Sequence, residues 1–236
     1  MPQTRTPLTL ADHFKILALI ADLRATRKPV HLDLFCCQGG ASAGYDRAGF
    51  AVLGVDVDNQ PRYPFAFVQA DAVEFLARYG HLFDSVSASP PCQAFTLAQR
   101  IQGNTHPDFI VPIRALLADL DRPSVIENVP GAPLVDPVVL CGAMFGIHTY
   151  RHRLFETGGG FTFTAPEHPE HKAPTVKMGR KLKPGDFYHA VGNFQGVDYV
   201  RRDLDMPWAT REGLRECIPP VYAMFIGAYL LAHLRP

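Results

Sequence analysis

The chain has 236 residues, 47% of them hydrophobic, which is enough to bury the core of one α/β domain with a small appendage. Lysine plus arginine and aspartate plus glutamate both number 23, so zero formal net charge excludes a whole-chain draw to nucleic acid or membrane, and any polyanion contact needs a local patch. The five cysteines, Cys36, Cys37, Cys92, Cys141 and Cys217, lack Cys-x-x-Cys spacing, which argues against a disulfide framework or a structural zinc site and fits a reducing cytoplasm.

The opening Met-Pro-Gln-Thr-Arg leads into a charge-interrupted helix, so neither a signal peptide nor a membrane span is expected. Thr9 with Asp12 reads as the helix start, and Phe14, Leu17, Ile20 and Leu23 recur at helical spacing until Pro29. From Val30 the pattern becomes Val-His-Leu-Asp-Leu-Phe, a short apolar strand, then Cys-Cys-Gln-Gly-Gly, then a helix over Ala41 to Ala48. Strand, glycine turn and helix open a nucleotide-binding α/β unit. Gly39 and Gly40 carry no Cβ, so a cofactor can approach the backbone there, although an ordinary tight turn explains a glycine pair equally well.

A second strand, Ala51 to Val55, ends in Asp56, Val57 and Asp58. Asp56 lies somewhat under or about 20 residues beyond the glycine turn, near the interval at which an acid takes the ribose hydroxyls of a nucleoside cofactor. A third strand, Phe65 to Gln69, precedes Asp71 and a helix over Ala72 to Tyr79. Asp71 is placed either to accept from an adenine amino group or to cap that helix.

The apolar run Phe83 to Ala88 reads as a fourth strand that empties into Ser-Pro-Pro-Cys-Gln-Ala-Phe-Thr. Pro90 and Pro91 end it and hold Cys92 in a defined direction. A free cysteine is more often an inert small hydrophobe, so reactivity has to be argued from elsewhere in the chain. A helix over Pro112 to Leu120 follows, then a strand over Ser124 to Ile126 that runs into Glu127, Asn128 and Val129. Beside a nucleophilic thiol, a carboxyl at Glu127 protonates a ring nitrogen and makes the neighbouring carbon electrophilic. Tyr150 to Phe155 reads as a strand with Arg151 and Arg153 on one face, able to stabilise anionic charge.

Alternating strands and helices predict a mostly parallel sheet covered on both faces, with ligands at the carboxyl ends of its strands. Thr157 to Asp205 is rich in Gly, Pro, His and Lys and reads as loop or a small subdomain, carrying Lys172, Lys177, Arg180, Lys181, Lys183, Arg201 and Arg202 as a local basic patch. Helices over Thr210 to Cys217 and Pro219 to Leu234 complete the chain, the last apolar on several faces. The organisation predicted is a catalytic and cofactor-binding domain over residues 1–155, a reduced recognition insert over 156–206, and C-terminal helices over 207–236.

Taken together these stretches resemble the C5-cytosine methyltransferase family. Asp33-Leu-Phe-Cys-Cys-Gln-Gly-Gly is similar to its cofactor loop, Pro90-Pro-Cys-Gln-Ala-Phe to its nucleophile loop and Glu127-Asn-Val to its acid motif. Tyr150-Arg-His-Arg is similar to its Gln-x-Arg-x-Arg motif, and Thr210 to Leu231 resembles its last two motifs run together. The resemblance implies a Rossmann-like methyltransferase fold, S-adenosyl-L-methionine as cofactor and methyl transfer to a cytosine ring. It implies Cys92 as nucleophile, Glu127 as acid, and Arg153 with Arg151 steadying the adduct. Phe35, Gly39, Gly40, Asp56, Val57, Asp71, Ala72 and Pro90 would hold the cofactor, and Pro91, Gln93 and Asn128 the substrate; no metal is implied. Cys37, Val57, Tyr150 and Glu216 depart from the family's usual residues. The insert is short for a base-reading module, which leaves DNA, a free cytosine nucleotide such as dCMP, and RNA as substrates, with a noncatalytic binding module as the rival class.

Overall fold

The computed structural model describes residues 8–92, 108–176 and 179–235. Seven strands form one sheet: β1 (Val30–Leu34), β2 (Ala51–Asp56), β3 (Ala66–Gln69), β4 (Ser85–Ala88), β5 (Ser124–Asn128), β6 (Val138–Leu140) and β7 (Arg153–Gly158), in the order β3-β2-β1-β4-β5-β7-β6. The first five run parallel. β7 is antiparallel to both of its neighbours.

Alternation along the buried strands sorts side chains to two helical layers. Val30, Leu32 and Leu34 of β1 join Val86 and Ala88 of β4 and Ile126 of β5 beneath α1 (Leu10–Ala25), α3 (Ala72–Tyr79) and α4 (Ile110–Leu120). Val52 and Val125, offset by one residue, face α2 (Gly40–Ala48) and α7 (Pro220–Leu234). Thr9 and Asp12 close a capping box on α1. The buried stripe of α1 is Ile16 and Ile20, whereas Phe14 and Leu17 of the expected stripe lie 62% and 36% exposed. The helix carries apolar residues on more than one side, so spacing alone does not select the docked face.

Helix α7 packs along α2. Gly44 makes the close approach possible, since a Cβ there would meet the Cβ of Ala223 at 2.6 Å. Tyr222, Ile226 and Leu230 are fully buried at this contact, and each contributes about 1.5–3 kcal/mol of transfer free energy.

The insert is more ordered than its composition predicts. β7 extends to Gly158, α5 (Val197–Asp203) follows, and α6 (Arg211–Glu216) comes next. Tyr188, Phe194, Val200, Leu204 and Met206 bury one another in a small separate cluster with Leu214 of α6. Asp203 organises it, accepting from the His148 amide and the Tyr188 hydroxyl at 2.9 and 2.8 Å. Among the described residues no helix is long and apolar enough to cross a membrane.

Candidate active site

A cleft of about 340 Å³ opens where β1, β2, β4 and β5 end, as expected for a parallel sheet. Of the residues predicted from sequence, Phe35, Gly40, Asp56, Val57, Pro90, Pro91, Cys92, Glu127, Asn128 and Arg153 line it. Cys92 emerges just after β4 and Glu127 from β5, adjacent parallel strands, which is why two residues far apart in sequence share one cavity.

The reactive end is built around one ion pair. Arg153 Nε lies 2.9 Å from Glu127 Oε1, with both side chains largely buried. Burial pushes the Glu127 carboxyl above its usual range, and Arg153, then Arg151, pull against that rise. Burial likewise pushes the Cys92 thiol up; Arg153 is the strongest opposing influence and Glu127 adds to the rise. Thiol, carboxyl and guanidinium thus sense one another, and each protonation state depends on the other two. Asn128 sets the spacing of the two exit loops: its amide donates to the Pro90 carbonyl at 3.0 Å and its side-chain oxygen accepts from the Val129 amide at 2.9 Å.

The opposite end is acidic. Asp33, Asp56, Asp58 and Glu216 all line it. Asp56 accepts the Cys37 and Asp58 amides at 2.9 and 3.0 Å, one on each oxygen. Burial raises the proton affinity of Asp56 and Glu216. Two departures from the family pattern meet here, with Cys37 Sγ 4.0 Å from Glu216 Oε2. Cys37 has φ +45°, a backbone state costing a side-chain-bearing residue about 1–2 kcal/mol, which accounts physically for glycine being usual at that place.

Behind this end lies a buried polar chain that sequence reasoning missed. Asp33 accepts from the Ser42 hydroxyl and, at 2.9 Å, from Ser87. Ser87 and Ser85 flank His31 at 2.9 and 2.7 Å, and Ser42 meets the Tyr63 hydroxyl at 2.7 Å. Burial pushes His31 down to about 3 and Asp33 up to about 6. The folded state holds the Asp33 proton more tightly than the unfolded chain, so the native protein loses stability as pH rises from the ordinary carboxyl value towards 6. Asp33→Asn has no proton to lose, and its stability relative to the native chain is expected to rise by about 3 kcal/mol between about pH 4 and about pH 6. Urea unfolding at stepped pH reads this difference directly, and a flat difference contradicts it.

One expectation changes, and the structure places the remaining candidates. Arg151 does not share a strand face with Arg153: it precedes β7, has φ +24°, and donates to the Cys217 carbonyl at 3.1 Å and to the Arg215 carbonyl. It ties the C-terminal segment to the cleft, and Tyr222 returns a bond to the Arg151 carbonyl at 3.0 Å. Asp71 caps α3, accepting from the Val73 and Glu74 amides at 2.9 Å, and neither it nor Ala72 is among the cleft-lining residues. Gly39 is also absent from the lining; it takes φ +81°, and a Cβ there would stand 2.9 Å from the Tyr63 ring. A Cβ on Gly40 would strike the Ile218 carbonyl and lie 2.9 Å from the Cys217 Cβ, so this glycine admits the C-terminal segment as well as bordering the cleft. Gln93 lies outside the described residues, as does Lys177. Within the basic patch, Lys172, Arg180 and Arg201 pair with Glu170, Asp186 and Asp198, which reduces the charge free for a polyanion.

Sheet order, a single reversed strand and a cleft at the strand ends define a Rossmann-like methyltransferase fold. Comparison with known proteins finds methyltransferases. The chain is 28% identical over 237 residues to the Type II methyltransferase M1.HphI of Haemophilus parahaemolyticus, covering 80% of this chain and 63% of that protein. A candidate DNA modification methyltransferase encoded within a prophage (E. coli) shares the fold with a TM-score of 0.62 at 18% identity, over 88% of this chain and all of that one. The Dnmt2 methyltransferase of S. pombe does so at 0.56 and 13% identity, over 88% and 99%. No protein-family profile matches the chain.

Proposed function

We propose that the chain transfers a methyl group from S-adenosyl-L-methionine to C5 of cytosine in DNA. The observation that carries this reading is the single cleft with a thiol, a carboxyl and a guanidinium at one end and carboxylates at the other. The acidic end suits a ligand with ammonium and sulfonium charge, and each Asp56 oxygen keeps acceptor capacity for a ribose hydroxyl after taking one amide. Phe35 and Val57 supply apolar surface beside it. When bound, this cofactor supplies the electrophilic methyl group that C5 takes up.

The chain's own residues prepare C5. Cys92, as thiolate, adds to C6 and places the ring's electron pair at C5, while Glu127 gives its proton to N3 and Arg153 balances the charge. After C5 has gained the methyl group, a base takes the C5 proton, N3 returns its proton to Glu127, and the C5–C6 double bond re-forms as Cys92 leaves as thiolate. Burial raises the proton affinity of Glu127 against the pull of Arg153, which favours this role. A cytosine in duplex DNA must leave the base stack to reach Cys92 in the cleft.

The Type II relative and the prophage fold neighbour named for DNA modification favour DNA over other cytosine carriers. Incubation with methyl-labelled cofactor and, separately, duplex DNA, single-stranded DNA, RNA and dCMP is expected to label DNA. Label in dCMP alone would move the substrate to the free nucleotide, and label in RNA alone to RNA. No label in any arm would leave a noncatalytic module.

A further inference from the structure

Away from the cleft, four side chains from distant parts of the chain converge. Cys141 follows β6 and His152 immediately precedes β7, while His168 and His171 come from coil in the insert. One ligating atom from each lies within 4.8 Å of every other. The closest pairs are Cys141 Sγ to His171 Nε2 at 3.3 Å and His152 Nε2 to His168 Nε2 at 3.1 Å. A tetrahedral zinc with bonds of about 2.05 Å to nitrogen and about 2.3 Å to sulfur puts two nitrogens about 3.3 Å apart and nitrogen and sulfur about 3.6 Å apart. Two hydrogen bonds account for the two short pairs. They do not account for all four atoms turning toward one point.

The surroundings are those of a ligand set. Cys141 opens a short 3-10 turn in which its carbonyl accepts the Met144 amide at 3.0 Å, fixing the backbone that carries the sulfur. Tyr150 stacks on the His171 ring at 3.6 Å between centroids, and its hydroxyl donates to the Ala173 carbonyl at 2.6 Å, which orients the imidazole. Cys141 is buried and His168 and His171 are exposed, so the group is open to ions from one side.

We propose that Cys141, His152, His168 and His171 bind one Zn²⁺ ion in a structural site that fastens the insert to the edge of the catalytic sheet. One thiolate and three imidazoles select a borderline-soft transition ion over magnesium or calcium. Four protein ligands leave no open position, which makes the site structural. The ion joins coil that has no strand or helix of its own to the residue next to Arg153, whose guanidinium donates to the His152 carbonyl at 2.9 Å. The absence of Cys-x-x-Cys spacing argued against a structural zinc site, and of these four residues only His168 and His171 lie close in the chain. The other two ligands are brought beside them by the antiparallel β6–β7 pairing.

The test is metal content and ligand spectroscopy on the full chain, independent of methyl transfer. Protein stripped with EDTA and titrated with Zn²⁺ is expected to retain one ion per chain after dialysis. Titration with Co²⁺ is expected to give the visible bands of a tetrahedral site with a thiolate-to-cobalt charge-transfer band. Cys141→Ser should remove that band, and the His168→Ala, His171→Ala double variant should weaken Zn²⁺ binding by about 100-fold or more. His189→Ala, at an exposed histidine outside the cluster, should bind as the native chain does. If a ligand variant fails to fold, the native cobalt spectrum decides by itself. No retained zinc, an octahedral cobalt spectrum without the charge-transfer band, or undiminished binding in the double variant would overturn the site.

Discussion

Cys92→Ala is expected to lower methyl transfer by about 10⁴-fold or more while leaving S-adenosyl-L-methionine affinity within about threefold. The separation follows from geometry. Cys92 stands at the Glu127 and Arg153 end, and the carboxylates that suit the cofactor stand at the other. Removing the sulfur takes away the only atom proposed to bond with C6, and without that bond C5 has no electron pair to offer. The side chain is small and partly open, so the fold should tolerate the change. Single-turnover kinetics with labelled cofactor, beside equilibrium binding of unlabelled cofactor, separate the two effects. Turnover that survives the substitution would reject covalent catalysis by this residue.

Glu127→Gln is expected to cost about 10²- to 10⁴-fold in kcat/KM, the usual range for a positioned acid. Its pH dependence is the sharper signature. The active form needs Cys92 deprotonated and Glu127 protonated, and burial raises both groups from their ordinary values. Between the two titrations, a gain of thiolate as pH rises is offset by an equal loss of protonated carboxyl. The native kcat/KM is therefore flat across that interval, falling below it and above it. The amide of the Glu127→Gln variant has no such proton to lose, so the variant's kcat/KM rises about tenfold per pH unit up to the Cys92 titration. Parallel profiles for the two proteins would show that Glu127 does not act as the acid. The substitution also leaves Arg153 facing a neutral amide where it faced a carboxylate, and a stability loss of about 3 kcal/mol is the expected accompaniment.

The cleft was legible in the sequence to the extent that chemistry and strand order coincide there. Cys92 and Glu127 each follow an apolar strand, and parallel strands deliver their carboxyl ends to one edge, so a strand reading already placed both residues together. Asp56 was legible by its interval from the glycine turn. What escaped depends on partners remote in sequence. Arg151 was read with Arg153 because they alternate, yet its guanidinium is taken by carbonyls of Arg215 and Cys217. Gly40 was read as room for a cofactor, while the C-terminal segment also occupies that room. The network of Asp33, Ser87 and His31 is invisible to periodicity because a buried strand of polar residues carries no apolar signal on that face. β6 is three residues long and partly exposed, too short for any pattern to register. The four-residue group at Cys141 escaped because only cysteine spacing was weighed for zinc, and three of its members are histidines.

The account stands on a sulfur bonding to a pyrimidine carbon inside this cleft, and trapping that bond tests it most directly. Duplex DNA carrying 5-fluorocytosine cannot lose its C5 substituent as a proton, so incubation with the chain and S-adenosyl-L-methionine should accumulate a denaturation-resistant complex. Peptide mass spectrometry should find the methylated fluoropyrimidine on Cys92 and on no other cysteine. Labelled product from ordinary DNA with no trapped complex, or a complex through a different residue, would contradict the account.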